Sequence, residues 1–85
     1  MLVKVLYFAS SREIIGQDQD EFEFDRTEVC VDTFMSALLD KRPQLNTILT
    51  SSLLAVNMEY VSLRDPHVLI RDGDEVAVIP PVSGG

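Results

Sequence analysis

Apolar residues alternate with other residues at both ends of this chain and recur every three or four positions in its middle. Residues 2–9, LVKVLYFA, are dominated by β-branched and aromatic side chains and predict a first strand. Val3, Val5 and Tyr7 share one face of it. Lys4, Leu6 and Phe8 share the other, and the lysine marks that second face as the solvent side. Ser10-Ser11-Arg12-Glu13 fits a capping box for a short helix, which Gly16 ends. Residues 17–21 are polar and acidic and predict a loop. Phe22 and Phe24 then alternate with acids, so 21–25 reads as a strand with one wet face. Val31, Phe34, Met35 and Leu38 form a stripe at helical spacing, which predicts the main helix over 31–42. Lys41 and Arg42 suit its C-terminal end, and Pro43 stops it. Its start stays open, with either Cys30 or Asp32 as the cap. Residues 53–57 and 59–63 predict a strand pair around a tight turn near Asn57-Met58, and Asp65-Pro66 breaks the pattern. Asp72-Gly73 is a hairpin signal. Residues 75–79, EVAVI, form the last strand, with Val76 and Val78 on one face and Glu75, Ala77 and Ile79 on the other.

The order is strand, strand, helix, then several strands. The first and last strands are the most apolar, which suits neighbouring positions in the middle of a sheet. One amphipathic helix covers only one face of that sheet. The expected fold is α+β, a ubiquitin-like β-grasp over residues 1–80: a mixed sheet with one main helix packed on one face. Residues 81–85 form an extended C-terminal tail.

Composition narrows the function classes. With 85 residues, 46% hydrophobic and 25% charged, the chain has the make-up of one soluble globular domain. Seven basic against fourteen acidic residues give a net charge of −7. That argues against nucleic acid, which needs a basic face to replace counterions, and against anionic membrane surfaces. The single cysteine forms no internal disulfide, no apolar run has the length of a membrane span, and the N-terminus lacks the blocks of a signal peptide. The cytosol is the expected location. The sequence has no glycine-rich phosphate loop and no His/Cys cluster for zinc, so no metal and no cofactor is expected on the chain itself. A domain this small has a thin core, which makes work with a partner a live expectation.

After Ile79 the chain reads Pro80-Pro81-Val82-Ser83-Gly84-Gly85. Prolines cannot continue a central ladder and hold φ near one value, so the chain should leave the sheet as a stiff, extended stalk. Glycine has no Cβ, so a diglycine passes through a channel that other residues would block. The terminal carboxylate is a poor electrophile. Attack on the α-phosphate of ATP would turn it into an acyl-adenylate, and a sulfur donor displacing AMP would leave a thiocarboxylate. The plain alternative is a frayed end.

Phe8, Tyr60 and Ile79 are candidates for a docking patch, because Phe8 and Ile79 fall on the faces that the helix should leave uncovered. The alternative is that all three belong to the core and the facing is off by one residue. Cys30 is either a persulfide relay or a small apolar residue near the helix start. His67 reads as a solvated loop residue. The acidic run Asp18, Asp20, Glu21, Glu23 and Asp25 either steers the chain toward a basic partner or is a solvated loop and strand face.

The run Asp72-Gly73-Asp74-Glu75-Val76-Ala77, followed by Pro80-Pro81-Val82-Ser83-Gly84-Gly85, resembles the C-terminus of the MoaD-like family, the small sulfur-carrying subunits of molybdopterin synthase. Val5-Leu6-Tyr7-Phe8-Ala9 with Arg12-Glu13 and Gly16 matches that family's first strand and turn, and Leu54-Ala55-Val56-Asn57 its middle strand. The resemblance covers almost the whole chain and is weakest over 17–30 and 43–52. It implies that Gly85 is adenylated by an E1-like enzyme, which uses the ATP, and then carries sulfur as a thiocarboxylate. It implies a tail, Pro80 to Gly84, that enters the large synthase subunit. There Gly85 gives its sulfur to a cyclic pyranopterin monophosphate, building the dithiolene that holds molybdenum. It further implies an assembly of two large and two small subunits, with the active site in the large one and no enzyme activity in this chain alone. The competing readings are a sulfur carrier for thiamine synthesis or tRNA thiolation, a ubiquitin-like protein modifier, and an adaptor without C-terminal chemistry.

Overall fold

Strand β1 (Leu2–Tyr7) lies beside the last strand of the chain, β7 (Glu75–Ile79), and the two run parallel in register, Val5 opposite Val76 and Tyr7 opposite Val78. The structure, a computed structural model, describes residues 1–62, 65 and 67–81. Helix α1 (Ala9–Ile15) and strand β2 (Gln19–Glu23) follow β1, and β2 returns antiparallel to it. A short strand β3 (Glu28–Cys30) leads straight into helix α2 (Val31–Lys41). Two 3₁₀ turns, Pro43–Thr47 and Leu49–Ser51, carry the chain to strands β4 (Leu53–Val56) and β5 (Glu59–Val61). Strand β6 (Leu69–Arg71) precedes β7. The main sheet has five strands in the order β2-β1-β7-β4-β5, mixed because β1 and β7 are parallel while the other pairs are antiparallel; β3 and β6 form a separate two-stranded sheet.

The alternation read along the strands sets the two faces of this sheet. Val3, Val5, Tyr7, Val76, Val78, Leu54 and Val56 are buried on one side, where Val31, Phe34 and Leu38 of α2 complete the core. The Phe34 ring meets Phe22 and Phe24 in tilted contacts, with centroids 6.0 and 6.2 Å apart. On the opposite side, bearing Leu6, Ala77, Ile79 and Tyr60, no helix lies over the sheet among the described residues. The α+β architecture, the central pairing of the first and last strands and the single covering helix all follow the expectation.

The local differences have physical causes. The expected capping box at Ser10 and Glu13 is displaced: Phe8 is the N-cap, Ser10 sits inside the first turn, and the buried Ser11 does the capping. The Ser11 hydroxyl accepts the Phe8 N–H at 3.0 Å and lies 2.6 Å from the Phe8 carbonyl. Strand β1 therefore ends at Tyr7 rather than residue 9. Strand β2 spans 19–23 rather than 21–25, since its register on β1 places Phe22 opposite Val3, facing the core. Cys30 is the N-cap of α2 and Lys41 its last residue, with Arg42 as C-cap. Asp72-Gly73 is not a hairpin. Both edges of β7 are taken, by β1 and β4, so β6 pairs with β3 and the turn joins two sheets. Asn57-Met58 is the expected tight turn, with φ of 50° and 71°, the positive pair that a two-residue hairpin requires. Residue 63 of the expected strand 59–63 and Pro66 of the expected turn lie outside the described residues.

Candidate functional site

The uncovered sheet face is where the sequence-predicted docking residues meet. Parallel register carries Phe8, just past β1, beside Ile79, and Leu53 stands opposite Ile79 on β4. One row along, Leu6, Ala77, Ala55 and Tyr60 lie side by side across β1, β7, β4 and β5. Leu6, Phe8, Ala55, Met58, Tyr60, Glu75, Ala77 and Ile79 line an open, mainly apolar hollow of about 360 Å³. Phe8, Tyr60 and Ile79 are therefore brought together, with Phe8 43% and Tyr60 70% exposed. None of the three is in the core, so the expected facing holds.

The small residues Ala55 and Ala77 make the floor of this hollow, and larger apolar groups make its rim. Phe8 is fixed from below. Its N–H is shared between Ser11 Oγ and the Val78 carbonyl at 3.2 Å, which ties the rim to β7. Toward the other end the face turns charged: in register, Lys4 stands between Glu21 of β2 and Glu75 of β7. Large exposed apolar groups gathered on one face mark an interaction surface. Leu53 and Met58 were not among the predicted site residues. Leu53 lies at a strand start, and Met58 occupies a turn, where a polar residue or glycine is the usual choice; an apolar side chain in a turn is the signal that points to it.

The chain leaves the sheet at the Phe8–Ile79 end of the hollow. Pro80 is buried and Pro81 exposed. Val82, Ser83, Gly84 and Gly85, the other predicted tail residues, lie outside the described residues.

The remaining candidates are dispersed. Cys30 does not line the hollow; its Sγ is 3.3 Å from Thr33 Oγ1, and that hydrogen bond holds the thiol below its ordinary pKa. His67 is exposed, with its backbone N–H donated to Asp65 Oδ1 at 2.9 Å. The acidic run is not uniformly solvated, because Asp20 turns inward with a side chain only 9% exposed. Its carboxylate accepts Lys41 Nζ at 3.0 Å, Arg42 Nε at 2.9 Å and the Tyr7 hydroxyl at 3.2 Å. Burial alone would raise its pKa, but the bonds from Lys41 and Arg42 outweigh that and hold it below the usual value. Burial first, and then the Asp20 charge, push the Tyr7 phenol far above its usual range, so it serves as a donor. Among the described residues, no group of three His, Cys, Asp or Glu side chains converges as a metal site, and no helix is long and apolar enough to cross a membrane.

Comparison with known proteins follows the same line. The model of the ThiS family matches residues 5–85. A molybdopterin synthase sulfur carrier subunit from Chlamydomonas reinhardtii is 41% identical over 85 residues, covering all of both chains. Among solved structures, a putative molybdopterin converting factor subunit 1 from Pyrococcus furiosus superposes with a TM-score of 0.79 at 29% identity, over 96% of this chain and 99% of that one. SAMP1 from Haloferax volcanii, a small archaeal modifier protein, superposes with a TM-score of 0.79 at 25% identity over the whole of both chains.

Proposed function

This chain belongs to the ThiS family, and we propose that it is the sulfur-carrier subunit of a molybdopterin synthase. The observation that carries the reading is the apolar hollow on the uncovered sheet face, which runs up to the point where Pro80 and Pro81 lead the chain away. A protein seated on that face is also the protein that receives the residues beyond Pro81. The folded body over 1–80 is then a handle, and the segment 81–85 delivers the reacting group.

In this reading the Gly85 carboxylate attacks the α-phosphate of ATP held by an E1-like enzyme, and pyrophosphate leaves. Hydrosulfide supplied by a sulfur donor attacks the resulting acyl carbon, and AMP leaves. The Gly85 thiocarboxylate gives its sulfur to a cyclic pyranopterin monophosphate in the large subunit, and two such transfers complete the dithiolene. This chain supplies no catalytic side chain, binds no cofactor and works in the cytosol. Two small subunits serve two large ones.

The test is mass spectrometry of the protein incubated with its E1-like partner, ATP and a sulfur donor. The C-terminal peptide should gain the mass difference between sulfur and oxygen, and a chain lacking Gly84-Gly85 should stay folded and gain nothing. No gain on the full chain, with an active partner, overturns the reading. The likeness to a small archaeal modifier protein supports a second reading, a modifier joined through Gly85 to lysines. Isopeptide-linked products in place of sulfur transfer would establish that one.

A further inference from the structure

Met58 has a backbone conformation that suits it badly and a side chain that stands almost wholly exposed. The two-residue link between β4 and β5 needs positive φ at both positions, and Met58 stands at +71°. Glycine is the residue that takes this second position without strain, because a Cβ crowds the backbone there. Asn57, the first position, is accounted for. Asparagine tolerates this region, and here its Nδ2 donates to Asp74 Oδ1 at 2.9 Å while its Oδ1 accepts the Glu75 N–H at 3.0 Å. Among the described residues Met58 has no such return: it is 91% exposed, the largest exposure among the exposed large apolar residues. The folded state therefore bears backbone strain and an unburied thioether at one site.

The side chain stands on the docking face. Met58 lines the hollow together with Phe8, Tyr60 and Ile79. We propose that Met58 is a specificity-determining anchor for the subunit that receives the tail, retained for that contact at the expense of the free fold. The proposal rests on the docking reading above. Its occupant follows from continuity, because the same hollow adjoins the Pro80–Pro81 exit, so the subunit that takes in the tail covers this face. Glu75 in the lining, on a protein of net charge −7, calls for a partner surface with an apolar socket and a basic group at its edge. An unbranched, polarizable methionine fits an irregular socket by adjusting its torsions.

The test measures affinity for the large synthase subunit by calorimetric titration, and the thermal midpoint of each free variant. Met58→Gly should raise the midpoint and weaken binding about tenfold, the range of an interface anchor. Met58→Asn, which tolerates positive φ without glycine's extra chain freedom, should weaken binding to the same degree without lowering the midpoint. Met58→Leu should recover most of the affinity. Unchanged affinity in Met58→Gly, alongside a loss in Phe8→Ala, overturns the anchor and leaves the docking face standing. A lowered midpoint in both Met58→Gly and Met58→Asn overturns the assigned strain. Failure of the unaltered chain to bind the large subunit overturns the anchor and the docking reading together.

Discussion

At the scale of single residues, two polar groups, the half-buried Asp20 and the buried Ser11, carry more than their neighbours. Asp20 joins β2 to the C-terminal end of α2 through Lys41 and Arg42 and holds the Tyr7 hydroxyl of β1. Its pKa is lower in the folded chain than the ordinary 3.8, so the folded state binds the proton less readily than the unfolded one. The stability from this site is fully present above that ordinary value and is lost as pH falls through the lowered one. Asp20→Asn should flatten the acid limb of a stability–pH profile. At neutral pH it should cost about 1–2 kcal/mol, as expected for weakening a half-buried charged hydrogen-bond network. Denaturant unfolding at several pH values measures both effects. Ser11→Ala should cost about 1 kcal/mol or more, because it leaves the Phe8 carbonyl without the hydroxyl donor and the Phe8 N–H with only its long bond to Val78. A shifted denaturation midpoint reads this out.

At the scale of elements, strand faces and the main helix were legible in the sequence, because they depend on local periodicity. Val3-Val5-Tyr7 and Val76-Val78 point inward as their alternation says, and the stripe of α2 buries Val31, Phe34 and Leu38. Pairing partners were not legible. Asp72-Gly73 has the composition of a hairpin turn, yet the strands it joins belong to different sheets, because β7 has no free edge. The turn is held from elsewhere: the Leu2 N–H reaches Asp72 Oδ1 at 2.7 Å, and the Gly73 N–H reaches the Leu2 carbonyl at 2.9 Å. Gly73 has φ of +84° and open space where a Cβ would stand, so Gly73→Ala meets no clash. The substitution should therefore cost only the backbone term of about 1 kcal/mol, measured as a small drop in thermal midpoint with the fold kept. Emptying the core at Phe34, by contrast, should cost about 3–5 kcal/mol, enough to unfold much of so small a domain.

At the scale of the whole molecule, one sheet face is closed by α2 and the other is left open beside the Pro80–Pro81 exit. The two faces should respond differently to substitution. Phe8→Ala removes a rim group that is 43% exposed, so it should leave the thermal midpoint nearly unchanged while weakening affinity for the large subunit about tenfold. An equal loss of stability and affinity would place Phe8 in the core instead. If the proposed sulfur transfer runs through Gly85, Gly85→Ala should slow it while leaving the thermal midpoint unchanged, measured as thiocarboxylate yield by mass spectrometry.

Facing was written in the linear order of residues: the alternation of β1 and β7 and the stripe of α2. These depend on covalent neighbours and on periods of two and 3.6, which a chain displays before it folds. The hollow, the rotation of Asp20 into a cation pair and the choice of Ser11 over Ser10 as the capping hydroxyl belong to the fold alone. Each depends on which strand lies beside which, and residues 8, 55, 60 and 79 become neighbours only when β7 inserts between β1 and β4.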